Sequence, residues 1–412
     1  MERTDQVPDV VIVGGGVAGL EALMALRDMA GDRVALTLVA PDPDFTYKPL
    51  AVEEPFSLQP AERRALEPIA REFGSQFIQA ALERVVADEH KLELSNGSTL
   101  EYAMLLVCVG GRPMPAFREG TTFLASGEPL RIDEVLANAA TTQSRRIAFV
   151  VPPGVTWPLP IYELALMARR RAEALGLGEL EHVVVTPESA PLIMFGSAAS
   201  GAVVELLRAR GIAIEASAYA HETEGGALVL SPGDRRLEVG EIVALPQIEG
   251  PGIPGLPSDE HGFIPIDDHA RVEEAEDVYA AGDGTNFPIK QGGIATQQAD
   301  AAAAHIASRV GAPVEPQRFH PVLRGKLITG DESMHFKHDL GGGSGEGVAA
   351  LDYLWWPPHK ISGRYLAAWL GGTTPHADPE PPRRPIDVEV ALSPEWHREP
   401  MAIDPYGPLG VD

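Results

Sequence analysis

The sequence predicts an α/β protein: two doubly wound layers, the second inserted into the first, followed by a C-terminal domain. Three observations carry that prediction. Near the start, the apolar run Val10-Val11-Ile12-Val13 leads into Gly14-x-Gly16-x-x-Gly19 and then a helical pattern. This strand–turn–helix order lets backbone N–H groups at a helix N-terminus hold a pyrophosphate. Much later, Val278-Tyr279-Ala280-Ala281-Gly282-Asp283-Gly284 is a short apolar strand ending on Gly-Asp and leading to another helix. Between the two, a separate alternation of strand and helix patterns begins after Ser126 and closes at a proline-rich connector.

The elements follow in order. Residues 10–13 and 34–39 read as buried parallel strands. The helix between them starts near Val17 and turns Leu20, Leu23, Met24 and Ala25 inward, which makes a βαβ unit. Residues 78–94 alternate and end at Asn96-Gly97, a hairpin turn signal, before a strand over 99–102. Residues 105–109 are a buried strand closing on Gly110-Gly111. In the inserted unit, strands are expected at 147–151, 182–186 and 213–215, with helices at 161–175 and 199–210. The connector 251–257 (Pro-Gly-Ile-Pro-Gly-Leu-Pro) has no helix potential, and the chain then re-enters the first layer. From about His320 the pattern changes to a flexible Gly/Ser loop at 341–347, an aromatic segment at 353–358, and a proline-rich extended tail from Gly372. The expected domains are therefore 1–125 with 258–319, then 126–257, then 320–371, with 372–412 as tail.

At 412 residues the chain is too long for one ordinary core. Its formal charge of -26 argues against nucleic-acid binding and against electrostatic adsorption to anionic lipid, and it favours solubility. One cysteine, Cys108, leaves no intramolecular disulfide and no Cys-x-x-Cys metal or redox site. The first residues carry no apolar signal region, and no stretch approaches the roughly 20 apolar residues of a spanning helix. The expected location is cytoplasmic, with peripheral contact at the inner face of a membrane left open.

The three glycines of the first loop have distinct jobs. Gly14 permits the tight turn, Gly16 lets phosphate approach the backbone, and Gly19 lets helix and strand pack closely. An acidic residue for the ribose is expected about 20 residues on. Val39-Ala40-Pro41 stands there instead, so Asp42 or Asp44 takes that role or is a solvated turn residue. Asp283 sits where a carboxylate accepts a hydrogen bond from a ribityl hydroxyl. This pair of segments is the arrangement by which flavoproteins with two dinucleotide domains hold FAD at both ends. The run 290–300, Lys-Gln-Gly-Gly-Ile-Ala-Thr-Gln-Gln-Ala-Asp, opens a helix whose first-turn N–H groups would face the flavin C2 carbonyl and stabilise negative charge there. Phe45-Thr46-Tyr47-Lys48-Pro49-Leu50 places a cation near flavin N5, or merely a surface charge. The expected cofactor contacts are Gly14, Gly16, Val17, Ala18, Gly19, Asp42, Lys48, Pro49, Gly110, Gly282, Asp283, Gly293, Ile294, Ala295, Thr296 and Gln297. Lys48 and Lys290 are the candidate catalytic cations, and no metal site is expected.

On these residues the chain resembles the FAD-dependent pyridine-nucleotide–disulfide oxidoreductases, over about residues 8–370. It is most similar to the branch of sulfide:quinone reductases, flavocytochrome c sulfide dehydrogenase flavoproteins and type II NADH dehydrogenases. The resemblance implies two Rossmann-like domains of the glutathione-reductase type, one FAD and a C-terminal domain closing over the flavin. It also implies that the 355–365 segment shapes a quinone pocket and rests on a bilayer or a partner protein. The plainer reading of that segment is a core or homodimer-contact element with aromatic anchors.

Two departures redirect the function. Disulfide reductases and sulfide:quinone reductases use paired cysteines, whereas Cys108 lies in an apolar strand and reads as a buried small hydrophobe. After the 147–151 strand, a nicotinamide site would need a second Gly-x-Gly-x-x-Gly. The loop is instead Pro152-Pro153-Gly154-Val155-Thr156-Trp157-Pro158-Leu159-Pro160, with four prolines that donate no N–H. It resembles the proline-rich loop of sulfide dehydrogenase flavoproteins, with Trp157 near their cysteine. The expected function is an FAD oxidoreductase passing electrons from a two-electron donor to a quinone or small carrier, without a cysteine persulfide. An NAD(P)H dehydrogenase or ferredoxin-reductase-like enzyme is the enzymatic alternative. A binding or assembly subunit with structural FAD is the other.

Overall fold

A computed structural model describes residues 7–58, 60–125, 129–222, 227–340 and 347–375. Most of the expected Gly/Ser loop and nearly all of the proline-rich tail (341–346 and 376–412) lie outside the described residues. The first layer is a five-stranded parallel sheet in the spatial order Val278–Ala280, Met104–Val107, Asp9–Val13, Ala35–Ala40, Ser75–Gln79. Its strands are near-continuous apolar runs because helices and loops cover both faces. The fingerprint strand Asp9–Val13 is central. The chain leaves it in one direction to Ala35–Ala40 and in the other to Met104–Val107, so a crevice opens at the carboxyl ends of the strands. Two helices, Val17–Ala30 and Gly292–Arg309, pack against each other on one face. The second is rich in alanine where they meet, and this brings the two backbones close.

The inserted layer repeats the plan. Thr121–Thr122, Glu241–Ala244, Arg146–Val150, Glu181–Val185 and Ile212–Glu215 form a second parallel sheet in that order. The helices Leu159–Ala174 and Ser197–Ala209 pack on it, as expected. Two elements were not anticipated from the pattern: a helix at Ile132–Thr141 and an antiparallel meander of Tyr219–Glu222, Leu228–Ser231 and Arg235–Leu237. Both are short, and alternation is weak in so few residues. The two chain crossings between the layers pair with each other as an antiparallel ribbon, Arg112–Met114 against Gln247–Glu249.

After the Gly292–Arg309 helix comes a three-stranded antiparallel sheet of Val322–Ile328, Ser333–Asp339 and Val348–Ala350. A short helix, Leu366–Leu370, then returns to the first layer. Buried Glu21, on the fingerprint helix, accepts the backbone N–H groups of Tyr365 (2.8 Å) and Leu366 (2.7 Å). A Cβ at Gly363 would lie 2.4 Å from the Glu21 carboxylate, so the glycine leaves room for that approach. No described helix is long and apolar enough to cross a membrane.

Candidate functional site

The two ends of the expected cradle meet at the carboxyl edge of the first sheet. Gly14 has φ 119°, and a Cβ there would lie 2.2 Å from the Cys108 carbonyl oxygen. A Cβ at Gly19 would lie 1.8 Å from the Gly14 carbonyl oxygen. Both glycines therefore let backbone pack on backbone. Gly16 differs: no atom lies within 4 Å of an added Cβ, and the residue faces outward. The helix that follows has no side-chain cap and no acidic residue in its first turn. Its orphan N–H groups and positive dipole end are thus open to an anion.

Gly282, from the late strand, sits beside this helix. A Cβ on it would be 3.3 Å from the Ala18 side chain and 3.6 Å from that of Ala295. Gly110 and Gly284 are also in close backbone contact, 2.9 Å from the Gly110 oxygen to a Cβ at Gly284. The fold thus gathers Gly14, Ala18, Gly110, Gly282, Asp283 and Ala295 into one crevice. Gln298, which sequence reasoning passed over, fixes the turn: its Oε1 accepts the Gly282 N–H at 2.7 Å and its Nε2 donates to Thr285 Oγ1 at 3.2 Å. Nothing in local spacing announces that role.

Asp283 lies in the crevice, and no hydrogen bond among the described residues reaches its carboxylate. Burial raises its pKa, while Lys290 and Lys48 pull it down. It is an acceptor aimed into the crevice without a donor of its own, which suits a ribityl hydroxyl. An open anion-binding helix end at one side and a donorless carboxylate at the other fit FAD.

Other expected contacts are committed differently. Gln291 caps the Gly292–Arg309 helix, taking the Ile294 N–H on its side chain at 2.8 Å. Thr296 Oγ1 donates to the Gly293 carbonyl at 2.9 Å. Gln297 donates to the Gly293 and Val322 carbonyls and accepts the Val322 N–H, so its amide ties the helix to the C-terminal sheet. Asp42 and Lys48 are exposed. The Pro49 carbonyl accepts from Lys360 Nζ at 2.9 Å.

Lys290 is the better placed of the two cations. Its ammonium donates to the carbonyls of Thr285 (2.6 Å) and Phe287 (2.8 Å) and stands 3.6 Å from the Phe263 ring centroid. Burial lowers its pKa to about 8 against the pull of Asp283 and Asp259. A second buried pair lies behind the 47–50 loop. Lys360 Nζ meets the fully buried Glu163 at 2.5 Å, and Glu163 also accepts the Ile328 N–H at 2.8 Å. Burial raises Glu163 to about 7, opposed chiefly by Lys360. This pair links first layer, inserted layer and C-terminal segment, and nearly 200 residues separate its members in sequence.

In the inserted layer, prolines stand at the helix start where a second nucleotide cradle would be built. Pro158 is the N-cap of the Leu159–Ala174 helix and Pro160 sits in its first turn, where their missing N–H groups would have met a phosphate. At the end of the next strand, where a ribose would need a carboxylate, Glu188 accepts the Tyr162 hydroxyl at 2.5 Å and that of Thr186 at 3.0 Å. Cys108 is buried, and burial pushes its thiol well up, away from the reactive thiolate. In the aromatic segment, Trp355 is 2% exposed and donates to the His359 carbonyl, whereas Trp356 is 49% and Tyr353 46% exposed. The segment is therefore core on one side and open aromatic surface on the other.

Residues 8–305 match the pyridine nucleotide-disulphide oxidoreductase family, and the chain belongs to that family of FAD-binding oxidoreductases. Sulfide-quinone reductase of Aquifex aeolicus is 26% identical over 180 residues, 41% of this chain and 40% of that protein. Rhodocoxin reductase of Rhodococcus erythropolis is 26% identical over 302 residues, 68% of this chain and 65% of that protein. The chain thus spans less than two thirds of either relative. In fold it is similar to the solved sulfide:quinone oxidoreductase of Aquifex aeolicus, with a TM-score of 0.73, 19% identity, and 83% and 86% of the two chains covered.

Proposed function

We propose that the protein is an FAD-dependent oxidoreductase that takes electron pairs from a donor and passes them to a quinone or a small electron carrier. The observation that carries this reading is the crevice itself. The uncapped fingerprint helix, open at Gly16, faces the Asp283 carboxylate, for which the described chain supplies no donor. FAD bound there would supply reversible two-electron chemistry. The chain's part is to bind the pyrophosphate on the helix N-terminus, orient the ribityl chain through Asp283 and set local charge with Lys290 and Lys48. The C-terminal segment, pinned through Glu21 and Lys360, would exclude water from the crevice.

Two observations speak for a route other than those of the family's cysteine and nicotinamide enzymes. The single thiol, Cys108, is buried, and burial pushes its pKa up, which speaks against a route through a pair of reactive cysteines. Pro158, Pro160 and the committed Glu188 remove nucleotide contacts from the inserted layer. On the acceptor side, exposed Tyr353 and Trp356 suit a flat apolar partner or a membrane surface. Anaerobic titration of the FAD-loaded protein tests the reading. NADH and NADPH are expected to leave the flavin oxidised, and dithionite-reduced protein is expected to be reoxidised quickly by a soluble quinone. Saturable bleaching by NADH at cellular concentrations would put the NADH dehydrogenase reading first.

A further inference from the structure

A groove opens beside Asp283, between the proline loop of the inserted layer and the first layer. Its walls include Phe123, Val155, Trp157, Leu245, Ile248 and Phe263, and its polar members are Thr156, Asp283 and Lys290. Two of the polar groups, Thr156 and Lys290, are bonded largely to their own chain. The Thr156 hydroxyl donates to the Pro288 carbonyl at 2.6 Å and accepts the Lys290 backbone N–H at 3.3 Å. Two of the three Lys290 ammonium N–H groups are held by carbonyls, and the ammonium rests on the Phe263 ring. Asp283 offsets that positive charge and would repel an anion.

An anionic ligand in this groove would lose its water, find one side-chain donor in the remaining Lys290 N–H, and stand beside the Asp283 carboxylate, a heavy penalty for a buried charge. A flat, uncharged ring would lose little and would cover the aromatic and aliphatic walls. We propose that the groove is a binding site for an uncharged, planar, ring-containing organic compound and that, on the function proposed above, it seats the electron donor. Trp157 forms one wall, standing edge-on to Phe195 at 5.8 Å between centroids. Specificity then comes from shape and from the aromatic and aliphatic walls rather than from a charge clamp.

Calorimetric titration of the oxidised, FAD-loaded protein tests this with three probes: 2-naphthol, 2-naphthoate and ADP-ribose. The expected result is saturable binding of one 2-naphthol per chain, at least about tenfold tighter than 2-naphthoate, with no binding of ADP-ribose. Ile248→Gln and Trp157→Ala should each weaken 2-naphthol by about tenfold or more while FAD content stays unchanged. Equal or tighter binding of 2-naphthoate or ADP-ribose overturns the proposal, as does indifference to both substitutions. Binding to FAD-free protein that disappears on FAD loading also overturns it, because the groove would then house the flavin ring. The readout requires no electron transfer, so its failure is separable from that of the redox reading. Protein that binds 2-naphthol, but whose flavin no donor reduces, keeps the site and loses the function.

Discussion

Replacing Gly16 with valine perturbs the cofactor cradle while leaving the fold intact. Gly16 has φ -87° and ψ -166°, an extended conformation open to any residue, and no atom lies within 4 Å of the new Cβ. As the helix N-cap it has no side-chain bond to lose, so the FAD-free protein should change in stability by no more than about 1 kcal/mol. The isopropyl group would stand where a pyrophosphate must approach the N–H groups of Val17 and Ala18. Hydrogen bonds to a charged group contribute about 1.5–3 kcal/mol each, so losing two gives roughly 3–6 kcal/mol. At about 1.4 kcal/mol per tenfold, FAD should bind roughly a hundredfold to ten-thousandfold more weakly. The assay is the FAD-to-protein ratio after purification, read with the thermal unfolding of both FAD-free forms. Gly19→Ala is the contrast: its Cβ would strike the Gly14 carbonyl at 1.8 Å, so that variant should lose the fold as well. Gly16→Val that purifies with one FAD per chain would refute the assignment of the cradle.

Cys108→Ala should cost about 1–2 kcal/mol, the price of a small buried volume, and leave flavin reoxidation unchanged. A variant that keeps FAD and fold yet loses turnover would make the thiol a chemical participant. Trp356→Ala should slow reoxidation of the reduced protein by a quinone and alter stability by less than about 0.5 kcal/mol, whereas Trp355→Ala should cost about 3–5 kcal/mol in the melt. Unchanged reoxidation in Trp356→Ala would leave the exposed aromatic surface to another partner. Glu188→Gln gives a pH signature. Burial raises Glu188 from its ordinary 4.5 to about 7, so the folded state holds a proton that the unfolded state releases between those values. Its contribution is complete below about 4.5 and lost as pH rises to about 7. The difference between wild-type and Glu188→Gln unfolding free energies should therefore fall across that window. The other buried carboxyls cancel in the comparison, and a flat difference would mean that Glu188 titrates as it does in water.

The parallel layers were legible in the sequence because their signals are local and redundant. Apolar runs of four to six residues, glycines at a strand–helix junction and a Gly-Asp strand end each constrain neighbouring backbone. Every strand of the first sheet except Ser75–Gln79 stood out by composition alone. That strand is half-buried at the sheet edge, and its polar Ser75, Gln76 and Gln79 blur the pattern. The meander at 219–237 and the C-terminal sheet escaped for a related reason. Their strands run only three to seven residues, mostly without clean alternation, and are specified by their partners.

The tight backbone packing was legible at Gly14 and Gly19, where only glycine satisfies the geometry, but not at the residues that hold the crevice in place. Gln298 acts across 16 residues, Glu163 meets Lys360 across 197, and Glu21 meets Tyr365 across 344. Each is a polar side chain on an otherwise apolar helix face, a position that sequence alone assigns to solvent. Burial changes what they do. A carboxylate that leaves water must find donors, and Glu21 and Glu163 find them in the backbone and lysine of the C-terminal segment. That demand is mutual: Lys360, whose side chain is 8% exposed, would be an uncompensated buried charge without Glu163. The C-terminal segment is thus fastened to the first and inserted layers by groups that would each be costly alone. The docking of all three parts of the fold on one another consequently depends on the same few side chains.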